Sequence, residues 1–332
     1  MKIAINGLGR IGRAVIRAIF EQNRSDIKIV AATGSASLED YAHLIKYDSV
    51  HGKFPYEVKL HEKGLIIQGQ LIEIINQRDP AQINWASFDV DVVFECTGKF
   101  NNKEASSVHL ASGAKFVLVS APCDNADITV VMGVNDDKLL KSHQVISVGS
   151  CTTNALAPLA KIFNDHLAIE NGFMTTIHSY TNDQNLLDGT HKDIRRARAC
   201  AMSMIPTSTG AAKAIGLVLP ELSGKLAGSA IRVPTPNVSM IDFCFNATKA
   251  TSKEEINQIV EKASIGHYKN IVGYAKEKLV SIDFNHSSMS CVFDPFETNV
   301  IDHKLCRIVS WYDNEWGFSS RMLDVCSKLK DL

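Results

Sequence analysis

No part of the 332-residue chain approaches the ~18 consecutive apolar residues that a membrane span needs. That lack speaks against a helical membrane protein. Cysteine pairs at C-x-x-C spacing are also missing: the eight cysteines, at 96, 123, 151, 200, 244, 291, 306 and 326, are scattered. The scatter excludes a zinc knuckle or a small disulfide scaffold and predicts reduced thiols, mostly buried as small hydrophobes. Charge of neither sign is in excess. Lys and Arg number 35 against 36 Asp and Glu, so no global field draws nucleic acid or an anionic membrane, and any anion site must be local. Internal repeats, low-complexity tracts and Gly/Ser linkers are absent, which predicts a tight crossover between domains near residue 150. The apolar stretch from Met1 to Gly7 is too short for a signal peptide, which points to the cytoplasm.

What is present suits a globular chain long enough for two cores, with 45% hydrophobic and 21% charged residues. Short β-branched runs alternate with helix-like segments in the first half. Residues 2–6 read as a strand and 9–22 as a helix with Ile11, Val15, Ile16 and Ile19 on one face. Strands follow at 27–32, 90–95, 116–120 and 144–148, and this alternation predicts a parallel sheet covered on both faces. In the second half, 172–180, 227–233, 239–246 and 305–312 read as longer, partly alternating strands of a largely antiparallel sheet. Helices are predicted at 153–167, at 253–264 (with Ser252 as N-cap and Glu255 at the capping-box position) and at 319–329. The last should dock on the first domain.

Gly7-Leu8-Gly9-Arg10-Ile11-Gly12 follows the first strand and opens the first helix, the context in which G-x-G-x-x-G binds a dinucleotide. Gly7 permits the tight turn and Gly9 lets backbone approach a pyrophosphate. Gly12 allows helix and strand to pack closely, and the helix N-terminus supplies N–H donors. A site for NAD ends the next strand with an acid that holds the ribose 2′-hydroxyl. Here the chain reads Ala32-Thr33-Gly34-Ser35-Ala36-Ser37, and the first acid is Glu39. A carboxylate ~4 Å from a 2′-phosphate would be repelled by roughly 1 kcal/mol in water, and by more in a protein. Its absence makes room for NADP; a strand that merely holds NAD less well is the alternative.

Gly149-Ser150-Cys151-Thr152-Thr153-Asn154 lies between a predicted strand and a predicted helix. A thiol there feels the positive end of the helix dipole, which favours thiolate. A thiolate needs a base. Of the 11 histidines the best placed is His178, at the end of a predicted strand. His61, His109, His166, His267 and His303 read as solvated surface groups, and nothing specific supports His51 or His191.

These residues carry a family resemblance. Ser150-Cys151-Thr152-Thr153-Asn154, His178-Ser179-Tyr180-Thr181, Pro206-Thr207-Ser208-Thr209-Gly210-Ala211-Ala212, Arg232-Val233-Pro234-Thr235-Pro236-Asn237 and Trp311-Tyr312-Asp313-Asn314-Glu315 resemble the glyceraldehyde-3-phosphate dehydrogenases. So do residues 5–13 and Lys46-Tyr47-Asp48-Ser49-Val50-His51-Gly52. The resemblance implies an α/β Rossmann dinucleotide-binding domain (1–150 and 314–332) and an α+β catalytic domain with a largely antiparallel sheet (151–313). It implies that Cys151 attacks the aldehyde with His178 as base, and that a hemithioacetal becomes a thioester that inorganic phosphate releases as 1,3-bisphosphoglycerate. The Cys151 N–H and the His178 ring become candidate oxyanion stabilisers. Thr181 and Arg232 match positions for the substrate phosphate; Ser150, Thr152, Thr209 and Gly210 match those for inorganic phosphate. Gly7, Gly9, Arg10, Ile11, Gly12, Thr97, Ser120 and Asn314 match cofactor contacts, Asn314 orienting the nicotinamide. A homotetramer, no metal, no nucleic acid and no membrane partner are implied too. The basic stretch 192–198 is expected to be a structural charge cluster near a subunit interface.

The sequence departs from the family pattern where NAD-using members carry Asn-Asp, having Thr33-Gly34, and where Leu-Pro is usual, having Gly189-Thr190. Both changes favour NADP, with Ser35, Thr190 and Arg78 as candidate 2′-phosphate contacts and NAD use left open. Ala155 stands where many members have a second cysteine, and Phe318 where many have Tyr. Erythrose-4-phosphate dehydrogenase, or a catalytically silent binding protein of the same fold, are the rival readings.

Overall fold

Ile3, Ala4 and Ile5 expose no surface, so their strand, β1 (Lys2–Asn6), lies inside its sheet with neighbours on both edges. The chain turns into α1 (Arg10–Glu21), which buries Ala14, Val15, Ala18 and Ile19, and returns as β2 (Lys28–Thr33) parallel to β1. α2 (Leu38–Lys46) opens at Ser37, whose hydroxyl accepts from Asp40 N and so satisfies one orphan donor. A two-residue ladder, β3 (Tyr47–Asp48) with β4 (Gly52–Lys53), precedes an antiparallel meander of β5 (Val58–His61), β6 (Gly64–Ile67) and β7 (Gln70–Ile75). Then come β8 (Val92–Glu95), the short helices α3 (Lys103–Ser106) and α4 (Val108–Ala111), β9 (Phe116–Val119), β10 (Ile128–Thr129) and β11 (Val145–Ser147). The sheet runs β10-β11-β9-β8-β1-β2-β7-β6-β5. It is parallel from β10 to β7 and antiparallel only at the β5–β6–β7 edge. That edge went unpredicted because its strands are short and mixed in burial, which leaves little period-two signal.

The second sheet follows α5 (Cys151–Leu167), with β12 (Ile169–Ser179), β13 (Ile205–Thr207), α6 (Ala211–Val218), β14 (Leu226–Val233) and β15 (Ser239–Ala247). Next are α7 (Lys253–Ile265), β16 (Val272–Tyr274), β17 (Cys291–Ile301) and β18 (Leu305–Tyr312); α8 (Trp316–Lys330) ends the chain. In the order β13-β14-β12-β15-β18-β17-β16, only β14–β12 and β17–β16 are parallel, so this sheet is antiparallel in the main. β15 buries alternate residues, and its Phe245 stacks on Phe163 of α5 at 5.2 Å between ring centroids and on Phe243 at 5.1 Å. Each such ring contributes about 1.5–3 kcal/mol by burial. The stack therefore pins α5, and with it the residue at its start. β17 was missed because Pro295 and an irregular register between Asp294 and Asn299 break its alternation.

The computed structural model describes residues 1–332 and divides into two units: Met1–Val130, Asp136–Ser150 and Ser319–Leu332; and Val131–Asn135 with Cys151–Phe318. These bounds differ from those expected at two places. Val131 and Val134 join the core around Phe163. Residues 314–318 stay with the second unit because the Asp313 carboxylate accepts from Glu315 N and Trp316 N, and Trp316 stacks on His286. From Ser319 onward α8 is tied to the first unit: Gln22 donates to Ser320 at 2.8 Å, and Arg24 pairs with Asp324 at 2.9 Å. No helix is long and apolar enough to cross a membrane.

Candidate active site

Gly149, at φ +67°, occupies the left-handed region that lets β11 turn at once into α5. Cys151 is the first residue of that helix, two earlier than predicted. Its Sγ lies 3.5 Å from His178 Nε2, so the two side chains paired on sequence grounds do meet. His178 is the penultimate residue of β12 and is only 5% exposed. Its ring meets Tyr312 edge-on at 5.9 Å, and the Tyr312 hydroxyl is bonded to Thr152 Oγ1 (2.9 Å) and Thr176 Oγ1 (2.8 Å). The imidazole is held on one side by a ring that is itself held at its far end. Thr152, expected at inorganic phosphate, spends its hydroxyl on this support.

The other edge of His178 is under opposed demands. Nδ1 lies 2.7 Å from the Ser179 carbonyl, which only accepts, and 2.6 Å from Arg232 Nη1, which only donates. Nη1 also donates to the same carbonyl at 2.9 Å. For Nε2 to take a proton from Cys151, Nδ1 must carry the other and give it to Ser179 O. Burial and the Arg232 charge push the His178 pKa down to about 3, so the ring is neutral at physiological pH. Burial also pushes the Cys151 thiol up, opposed by the Arg232 charge and by Thr152. The sequence had predicted a standing thiolate. Burial of the sulfur works against that charge and the Arg232 charge works for it, burial being the larger of the two.

Arg232 Nε is buried with no partner, a costly state for a charged donor unless a ligand meets it. Thr181 is half-buried. Ser150 ends the first unit, while Thr209 and Gly210 open α6, with Thr209 Oγ1 accepting from Ala211 N at 3.2 Å and no side-chain cap at Gly210. Asn314 is 7% exposed; its Oδ1 accepts from Ser239 Oγ at 2.9 Å, leaving its amide N–H groups unspent. In the basic stretch, Arg196 pairs with Asp183, and Arg198 with Asp188 at 3.0 Å.

The glycine loop is built as the motif requires. Gly7 has φ +101° and stands so close to Thr97 that an added Cβ would lie 2.8 Å from Thr97 Cγ2. A Cβ on Gly12 would overlap the Gly7 carbonyl, whereas one on Gly9 would meet nothing within 4 Å. Gly9 is the N-cap of α1 and no side chain caps that helix, so the turn offers an open cradle with N–H donors for an anion. The residues fit a dinucleotide pyrophosphate. Arg10 is paired with Asp48 at 2.7 Å, and the Ser120 N–H is bonded to Glu95 O.

Beneath the loop lies a polar chain that sequence reasoning missed. Trp85 Nε1 donates to His109 Nδ1 (3.1 Å), which places the His109 proton on Nε2, facing Glu95 Oε2 at 3.1 Å. Asn6 Nδ2 donates to the same oxygen at 2.5 Å; Thr97 gives both its N–H and its hydroxyl to Oε1. Thr33 Oγ1 donates to Asn6 and accepts from Gly7 N. His109 exposes nothing, which corrects the expectation of a solvated group: α4 turns it inward to meet Glu95. The available signal was Glu95, an acid ending an otherwise apolar strand.

The family's NAD binding domain matches residues 1–103, and the glyceraldehyde 3-phosphate dehydrogenase C-terminal domain matches residues 150–314. The chain is 56% identical over 324 residues to the glyceraldehyde-3-phosphate dehydrogenase of Xanthobacter flavus, covering 98% of this chain and 97% of that protein. It is 53% identical to that of Cereibacter sphaeroides with the same coverage, and 50% identical to that of Geobacillus stearothermophilus over 328 residues, again 98% and 97%. The chain belongs to the glyceraldehyde-3-phosphate dehydrogenase family. It is thus an oxidoreductase of aldehydes that uses a nicotinamide dinucleotide.

For a member of this dehydrogenase family, the departures from pattern fall as follows. Thr33 pairs in register with Ile75, and Gly34 N donates to Ile75 O, so Gly34, Ser35 and the exposed Arg78 share one end of the first sheet. Gly189 and Thr190 are exposed in the second unit, where Asn185 Nδ2 donates to Thr190 O at 3.3 Å. Ala155 is fully buried one turn after Cys151, so α5 offers that sulfur no second thiol, and Phe318 is buried too.

Proposed function

We propose that the chain is a phosphorylating glyceraldehyde-3-phosphate dehydrogenase that accepts NADP(H), and that the Cys151–His178 pair carries its chemistry. The neutral imidazole takes the thiol proton at Nε2 as Sγ bonds to the aldehyde carbon, so charge develops only as the bond forms. The Cys151 N–H and the protonated Nε2 then stabilise the oxyanion of the hemithioacetal. A bound nicotinamide supplies the hydride acceptor, and Asn314 orients its amide through the N–H groups that Ser239 leaves unspent. Inorganic phosphate opens the thioester on Cys151 to give 1,3-bisphosphoglycerate. Arg232, through Nε, and Thr181 hold the substrate phosphate; Ser150, Thr209 and Gly210 hold the inorganic one, with Thr152 fixing Tyr312.

The observation that carries this reading is the 3.5 Å approach of Sγ to Nε2 beside an arginine with a buried, unspent donor. Gly7, Gly9, Arg10, Ile11 and Gly12 would hold the pyrophosphate, with Thr97 and Ser120 at the ends of the neighbouring strands. Ser35, Arg78 and Thr190, with Gly34 giving no carboxylate, support a 2′-phosphate; NAD is the lesser substrate. Exposed Leu186, Leu187, Ile194, Met202 and Met204 along one segment support assembly as a homotetramer, and a cytoplasmic enzyme is the consistent setting. Steady-state rates with each cofactor, with and without phosphate, test the proposal. Turnover should depend on phosphate, and kcat/KM should favour NADP. Phosphate-independent turnover would contradict the mechanism, and a strict requirement for NAD would contradict the cofactor assignment.

A further inference from the structure

Gly34 has a reason to lack a side chain that the cofactor does not supply. Its φ lies outside the left-handed region, so the backbone there does not call for glycine. Space does. An added Cβ would overlap Oη, Cζ and Cε2 of Tyr41, the far edge of a ring that projects from α2 and is only 6% exposed. The ring cannot swing aside cheaply, because its Oη accepts from Ser35 N at 2.9 Å and from Ala36 N at 3.1 Å. Those two bonds occupy the lone pairs of the oxygen and leave its own proton to give. No protein group accepts that proton. Dinucleotide folds that take NAD put a carboxylate acceptor at this end of the second strand. This chain puts a donor there, which suits a 2′-phosphate, a group that only accepts.

We propose that Tyr41 is a specificity-determining residue for the cofactor: its ring holds the space that an acidic side chain at position 34 would need, and its hydroxyl presents a donor in that place. The proposal rests on the cofactor reading above and deepens it. Position 34 then does not set preference alone, and a simple glycine-to-acid exchange cannot convert the enzyme.

The test is a double-mutant cycle of Gly34→Asp, Tyr41→Leu and both together, reading kcat/KM and Kd for each cofactor. Leucine keeps an aliphatic stem but lacks the three atoms that an added Cβ would strike. Gly34→Asp alone should lose NADP efficiency without gaining NAD efficiency. The double variant should use NAD at least about tenfold better than Gly34→Asp, a coupling typical of residues in contact. A Gly34→Asp enzyme that already prefers NAD, with nothing added by Tyr41→Leu, would overturn the proposal. If Gly34→Asp does not fold, Gly34→Ala with and without Tyr41→Leu decides by thermal unfolding: rescue by leucine supports the steric coupling, and additive losses refute it. A parent enzyme that ignores NADP would defeat the cofactor reading, yet the NAD arm of the cycle would still read the coupling. Normal NADP use with additive effects would defeat the coupling alone.

Discussion

Two polar clusters lie buried in this protein, each built around a histidine, and they are completed differently. Around His109 the bonds close: Trp85 donates to its Nδ1, its Nε2 faces Glu95, and Asn6 and Thr97 supply the remaining donors to that carboxylate. Around His178 they do not. Nδ1 faces both a donor and an acceptor, Nε2 faces a thiol, and Arg232 Nε has no partner. Both clusters bear the cost of burying polar groups. A closed network uses its bonds to fix a backbone, here the strand ends and Gly7 loop; an open one keeps bonding capacity for a reacting partner. Closure of the bonds thus separates a histidine that holds backbone from the one proposed to react, although both are buried.

Breaking each cluster should therefore damage different properties. The largest effect should come from Cys151→Ser, since a hydroxyl is far harder to deprotonate than a thiol. Turnover should fall by about 10³-fold or more while cofactor Kd and unfolding midpoint stay unchanged. Near-normal turnover in that variant would remove the mechanism. Glu95→Leu should act the opposite way, stranding the donors of Asn6, Thr97 and His109 at a cost of about 3–5 kcal/mol in urea unfolding. A stable Glu95→Leu protein would show that the closed network is not what holds the loop. The smallest effect concerns ion pairs away from both clusters. The Asp26 carboxylate is held down at about 2, chiefly by its hydrogen bond from Arg24. Asp48 is also held at about 2; burial opposes this, and the His51 N–H and Arg10 outweigh it. Both native pKa values lie below the ordinary 3.8, so their stabilisation is complete above that value and lost as pH falls through about 2. The melting temperature should drop between pH 4 and pH 2 by less in Asp26→Asn than in the parent; equal drops would deny Asp26 a part.

The sequence made one cluster legible and hid the other, for physical reasons. Cys151 and His178 stood out because a cysteine between a strand and a helix, and a histidine at a strand end, are local patterns. Their meeting across α5 and β12 follows from elements that hydrophobic periodicity located to within a few residues. His109 gave no such sign. It sits on a helix of one turn, and only the tertiary approach of Trp85 and Glu95 shows that it faces inward. Gly34 was read as the lack of an acid, but its steric partner Tyr41 lies seven residues on, in the next helix, where no spacing rule links the two. The expected ionisation of Cys151 is opposed for a related reason. Helix position is visible in sequence, whereas the burial that opposes charge on sulfur is a property of the packed unit.

In the reaction proposed above, Cys151 gives its proton to a neutral His178 rather than standing as a thiolate. The rate of Cys151 alkylation by iodoacetamide, followed from pH 5 to 10 in the parent and in His178→Asn, tests it most directly. The variant should react about 10²-fold more slowly near neutral pH. The gap should narrow as rising pH deprotonates the thiol without help. Superimposable profiles, or a parent rate already flat at its maximum below pH 7, would contradict it.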